Sequence, residues 1–118
     1  MKIKKLLFTG GGGVFSETIW RELGNKYDIY FADINPKKIF YKIPNSKKLK
    51  IEKGNSKKFI ISLKSLIKKY NFDLIVPNVD EEIFNIINSK FDKKKIFLPP
   101  VSFCKMTLNK LVFFEYLK

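Results

Sequence analysis

The amino-acid sequence predicts an α/β domain with a mostly parallel sheet of about five strands and helices on both faces. Three observations predict it. Short apolar runs closed by glycine, an acid or proline alternate with segments whose apolar residues recur at helical spacing. The first apolar run leads straight into four glycines, Gly10 to Gly13, and then into a helical pattern, so that a strand, a loop and a helix follow one another. Finally, 118 residues with 45% hydrophobic content are enough for one core and one domain.

Each element has its own signal. Residues 3 to 9, IKKLLFT, read as a buried first strand ended by glycine. Phe15, Ile19 and Leu23 recur every four residues on one helix face, and Gly24 stands where a terminator belongs. YDIYFAD, residues 27 to 33, reads as a second strand. Asn35 and Pro36 then open a polar connection anchored by Ile39, Phe40 and Ile43, before a short third strand near Leu49 to Ile51. Asn55 or Ser56 is expected to cap a helix whose Phe59, Leu63, Leu66, Ile67 and Tyr70 line one side. FDLIVP, 72 to 77, is a fourth strand stopped by Pro77, and a helix is expected from about Glu81 to Ser89. KIFLPP, 95 to 100, predicts a fifth strand, Ser102 a short capped turn, and Leu108 to Leu117 a last amphipathic segment. The chain stops inside that pattern with no glycine, proline or polar tail, as expected of an N-terminal piece of something longer.

Composition narrows the function. The chain has no histidine and one cysteine, Cys104, so His-based zinc sites, Ser-His triads and an internal disulfide are excluded. No apolar stretch approaches the roughly 20 residues that span a membrane. The run Leu6 to Phe8 is too short for a signal-peptide core, so a cytoplasmic protein is expected. The formal net charge is +13, yet Arg21 is the one arginine among 24 basic side chains. Bidentate phosphate and base-edge recognition favour arginine's planar fork, so a solvated lysine surface is expected ahead of a nucleic-acid face.

Three constellations can carry chemistry. The loop Gly10, Gly11, Gly12, Gly13 with Ser16 and Glu17 sits where an open α/β sheet binds ligands, beyond the carboxyl end of a strand. Glycines there let peptide N–H groups approach a ligand, while the alternative is a tight turn that only packs helix on strand. As a dinucleotide fingerprint the run is incomplete, because Phe15 or Ser16 occupies the third glycine position. Asp33 ends the second strand 23 positions after Gly10, where it can hold a ribose or equally cap the turn Asp-Ile-Asn-Pro. Asp80, Glu81 and Glu82 crowd the mouth of the fourth strand. Such a cluster repels a pyrophosphate and suits an ammonium, a hydroxyl, a metal-bearing ligand or a partner domain; the alternative is an acidic start that satisfies the helix dipole.

Taken in order, TGGGG, ADINP, DLIVPNVDEE and TLNKLVFFEYL resemble the N-terminal domain of ATP-grasp ligases, especially members like the carbamoyl-phosphate synthase large subunit. Asn35 stands where the family pattern has a second Asp, and Asn109-Lys110 where Asn-Asp-Lys is typical. The resemblance implies a three-layer α/β/α, Rossmann-like preATP-grasp domain over residues 1–104, with 105–118 starting a helical connection to an ATP-grasp domain not present here. It implies a family reaction in which ATP converts a carboxylate to an acylphosphate that an amine or thiol attacks. ATP and Mg are then held mainly by the other domains, so this chain alone is expected to bind neither and to have no turnover or catalytic residue of its own. The glycine loop, Asp33 and the acidic cluster face the carboxylate or amine substrate. Lys110 faces nucleotide phosphates, or is simply an exposed lysine. A homodimer is compatible with the resemblance, and no metal site is expected on this domain.

Two rival readings remain. TGGGGVFS nearly fits the loop of an extended short-chain dehydrogenase or epimerase that binds NAD(P), although no Tyr-x-x-x-Lys pair occurs in the chain. The other is a non-catalytic, lysine-rich module that binds nucleic acid, with the steep salt dependence that follows from counterion release.

Overall fold

The computed structural model describes residues 4–98. Its four strands are β1 (Lys5–Phe8), β2 (Asp28–Asp33), β3 (Lys48–Lys50) and β4 (Leu74–Val76), all parallel and ordered β3-β2-β1-β4. Helix α1 (Phe15–Leu23) joins β1 to β2, α2 (Phe59–Tyr70) joins β3 to β4, and α3 (Asp80–Ile87) follows β4. Between β2 and β3 run two short 3₁₀ turns, Pro36–Lys38 and Asn45–Lys47, held down by the buried Ile39 and Ile43.

Alternation along the strands explains why they read as continuous apolar runs. Leu6, Phe8, Ile29, Phe31, Leu74 and Val76 join one hydrophobic cluster with Ile19 and Leu23 of α1. Leu7, Ala32, Leu49 and Ile75 join the other, with Phe59 and Leu63 of α2 and Ile86 of α3. Alternate strand residues therefore go to two separate clusters. Leu7, Phe8, Phe31, Phe59, Leu63 and Ile75 are fully buried, each stabilising the fold by about 1.5–3 kcal/mol relative to exposure.

The boundaries of α1, and the β1 and β2 segments, agree with expectation. Gly24 does end α1, but in right-handed geometry, its N–H donating to Trp20 O at 2.9 Å. Helix α2 starts later than its expected cap. Ser56 instead closes a preceding turn, its Oγ accepting from Lys58 N–H at 3.0 Å, and no side chain caps the helix at Lys58. Asn71, in the left-handed region at φ 53°, ends it.

Four strands rather than five are present among the described residues. Ile96 makes a single parallel bridge to Ile75, and the remainder of the expected strand at 99–100 lies outside them. The expectations for Ser102 and Leu108 to Leu117 also lie outside the described residues.

The strand order creates a switch point in the sheet. From β1 the chain moves outward through β2 to β3, then crosses back to place β4 on the other side of β1. Loops leaving β1 and β4 therefore diverge, and the crevice between them at the carboxyl ends is the switch point of the sheet.

Candidate functional site

Four connections meet at the carboxyl end of the sheet: the glycine loop after β1, the Asp33 turn after β2, the Gly54 loop before α2 and the Pro77–Val79 link to α3. Gly10 has φ +64°, a conformation that side chains rarely adopt. Gly11 and Gly12 are glycines for lack of room: an added Cβ would lie 2.9 Å from Phe31 Cβ at Gly11, and 2.9 Å from Lys38 Cβ at Gly12. Several loop amides are already used internally. Gly11 N–H donates to Ala32 O at 2.9 Å, Gly13 N–H to Gly10 O at 3.1 Å and Ser16 N–H to Gly13 O at 3.3 Å. Ser16 is buried and its Oγ donates to the same Gly13 carbonyl at 3.1 Å. Glu17 pairs along α1 with Arg21 at 2.7 Å. The loop thus does the work of a tight turn, with the Gly11, Gly13 and Ser16 amides turned to partners of the chain itself.

Asp33 caps the turn that follows it. Its Oδ2 accepts from Asn35 N–H at 3.0 Å, and Asn35 Oδ1 accepts from Lys37 N–H at 3.2 Å, which caps the following 3₁₀ turn. The same Oδ2 lies 3.0 Å from where a Gly12 Cβ would be, so the carboxylate also borders the glycine loop.

The acidic trio does not act as one cluster. Helical geometry turns each successive residue of α3 by about 100°, so Glu82 faces inward while Asp80 and Glu81 stay exposed. Glu82 is 3% exposed, and Thr9 Oγ1 donates to its Oε1. Asn78 N–H donates in turn to Thr9 Oγ1 at 3.0 Å, so β1, the β4 link and α3 are tied by one chain of hydrogen bonds. Burial pushes the Glu82 carboxyl up to about 7; the nearby charges of Asp33 and Glu81 push the same way, while the Thr9 hydroxyl and the Val79 backbone oppose them.

Three residues of this site were not singled out from the sequence. Thr9 is a fully buried polar residue at the end of an apolar strand, and that position just before the glycines was its only signal. Asn78 donates through Nδ2 to Thr9 O at 3.1 Å and Val76 O at 3.3 Å, while its Oδ1 is buried with no hydrogen-bond partner. Gly54 presses on α3: an added Cβ would lie 2.7 Å from Glu82 Cγ and 2.8 Å from Glu82 N. Asn85 Nδ2 donates to Gly54 O at 2.9 Å and fixes that contact. Beyond it, Asp80, Glu81 and the exposed Phe84 line an open groove of about 780 Å³ with residues Gly54 to Lys57.

Lys110 lies outside the described residues. Among those described, no group of three or more His, Cys, Asp or Glu side chains is placed to hold a metal ion, and no helix is long and apolar enough to cross a membrane. The inner site therefore gathers the acceptors Asp33, Glu82 and Asn78 Oδ1, the last two buried, beside a loop in which the Gly11, Gly13 and Ser16 amides are already bonded. Comparison with models of protein families, with curated proteins and with solved structures found no match.

Proposed function

We propose that the chain is the N-terminal, substrate-side domain of an ATP-grasp ligase that joins a carboxylate to an amine through an acylphosphate. The observation that carries this reading is the meeting of TGGGG, ADINP and DLIVPNVDEE at the carboxyl ends of adjacent parallel strands, with Glu82 buried beneath Thr9. The three-layer, Rossmann-like arrangement belongs to the same proposal. It is supported by the strand order, the Ile96 bridge beyond β4 and the two hydrophobic clusters.

The charge and acceptor pattern favours an amine over a nucleotide at this crevice. A triphosphate would meet Asp33 and Glu82, and would find Gly11 and Gly13 amides already bonded. The described residues of this crevice do not fit ATP. An ammonium or hydroxyl donor fits: Asn78 Oδ1 lacks a donor, and Asp33 supplies negative charge. Glu82, poised near 7, makes the site more negative as pH rises and so holds a cationic amine better above neutrality. In the complete ligase this domain would orient the amine, and the acylphosphate would be made on the domains that carry ATP.

One observation favours a second reading, an NAD(P)-binding dehydrogenase domain: the Asp33 carboxylate borders Gly12, where a ribose-holding acid would be. Titration of the isotope-labelled chain separates the two. Ethylamine, an alkylammonium at both pH values, is expected to shift the amides of Thr9, Gly10 and Asn78, more strongly at pH 8 than at pH 6, while ATP and NAD leave them in place. Micromolar NAD binding at those residues, with no response to the amine, overturns the ligase reading.

A further inference from the structure

A second concavity of about 310 Å³ lies between the C-terminal half of α2 and residues 91–96, and it shares no lining residue with the groove along α3. Its floor is apolar, formed by Ile67, Ile75 and Ile96. Phe91 forms a wall, with Lys64 Nζ 5.5 Å and Lys93 Nζ 5.8 Å from the ring centroid. Lys64, Ile67 and Lys68 reach it together because positions i, i+3 and i+4 share one helix face. Lys95 completes the rim from the other side.

The rim carries more positive charge than the surroundings neutralise. Asp92 also lines the pocket, its Oδ1 accepting from Lys94 N–H at 2.9 Å, so that one carboxylate stands against Lys64, Lys68 and Lys95. Among the described residues Lys64, Lys68 and Lys95 make no salt bridge, the ion pairs there being Arg21 with Glu17 and Lys47 with Asp28. Lys95 Nζ reaches only a neutral acceptor, Asn71 Oδ1, at 3.3 Å. Cations around an apolar floor of this volume match a ligand with an apolar body and one anionic end.

We propose that this pocket binds a small amphiphilic anion, an aryl or branched alkyl group bearing a phosphate or carboxylate. The body lies on Ile67, Ile96 and Phe91, and the anion meets Lys64, Lys68 and Lys95. The site is independent of the ligase reading, since neither Thr9 nor Glu82 takes part.

The test is titration of the isotope-labelled 118-residue chain with phenyl phosphate, followed by amide shifts. Saturable shifts centred on Lys64, Lys68, Phe91 and Lys95 are expected. Lys68→Gln and Lys95→Gln should each weaken binding about fivefold, the effect of one unit charge at about 4 Å in water, and Lys50→Gln should leave it unchanged. Benzyl alcohol and inorganic phosphate, each lacking one half of the ligand, should both bind more weakly. Shifts spread over many lysines without saturation overturn the proposal. So do inorganic phosphate binding as tightly as phenyl phosphate, or shifts confined to the Phe84 groove.

Discussion

Burying the Glu82 carboxyl makes the stability of the fold depend on pH. Burial pushes the group up to about 7 in the folded protein, against the 4.5 ordinary for a glutamate in an unfolded chain. Its contribution is fully present below 4.5 and is lost as pH rises through 7, because the folded state binds the proton more tightly. A difference of that size corresponds to about 3 kcal/mol. Glu82→Gln keeps an acceptor for the Thr9 hydroxyl but cannot ionise. The expected outcome is a wild-type melting temperature that falls between pH 5 and pH 8.5, and a variant in which that fall is much smaller; equal slopes in thermal unfolding would refute it. From the sequence, Asp80, Glu81 and Glu82 look alike. Only the turn of the helix buries Glu82, and that burial, against the opposing Thr9 hydrogen bond, raises its pKa.

Helix α3 is positioned by a loop rather than by a cap. Val79 provides no side-chain cap, while Gly54 and Asn85 hold the first turns against the connection that precedes α2. In Gly54→Ala the new Cβ would meet backbone, Glu82 N at 2.8 Å, which cannot swing aside, so a loss of at least about 1–3 kcal/mol is expected. Gly13→Ala is the contrast. Its Cβ would meet nothing nearer than 3.4 Å and its φ is not positive, so the change is expected to be neutral or stabilising by about 0.4–1 kcal/mol. Urea denaturation of both variants checks the pair, and equal destabilisation would contradict the packing described. Sequence periodicity placed α1, α2 and α3 because apolar spacing reports which face is buried. It misplaced the start of α2, since Asn55 and Ser56 favour a turn as much as a helix cap, and it passed over Gly54, whose need for space arises from a residue 28 positions away.

Over the whole molecule, the excess of positive charge opposes the compact state. A formal net charge of +13 on 118 residues repels itself, and among the described residues the lysine in a salt bridge is Lys47, with Asp28. Raising sodium chloride from 20 to 200 mM is expected to raise the melting temperature by several degrees through screening, and an unchanged or lower value would show that the lysines are locally compensated. Choline chloride at equal ionic strength should act alike if screening is the cause.

The α/β class, the parallel strands and most of the core were determined by the sequence alone, because burial on both faces leaves unbroken apolar runs and helices leave a period of 3.6. Tertiary structure decided what stands at the carboxyl end of the sheet. There Thr9, Asn78, Asp33 and Glu82 come together from separate loops, and Asp80 and Glu81 turn away from them. Burial and mutual distance set the charge of such groups, and both are properties of the folded chain that no local pattern encodes.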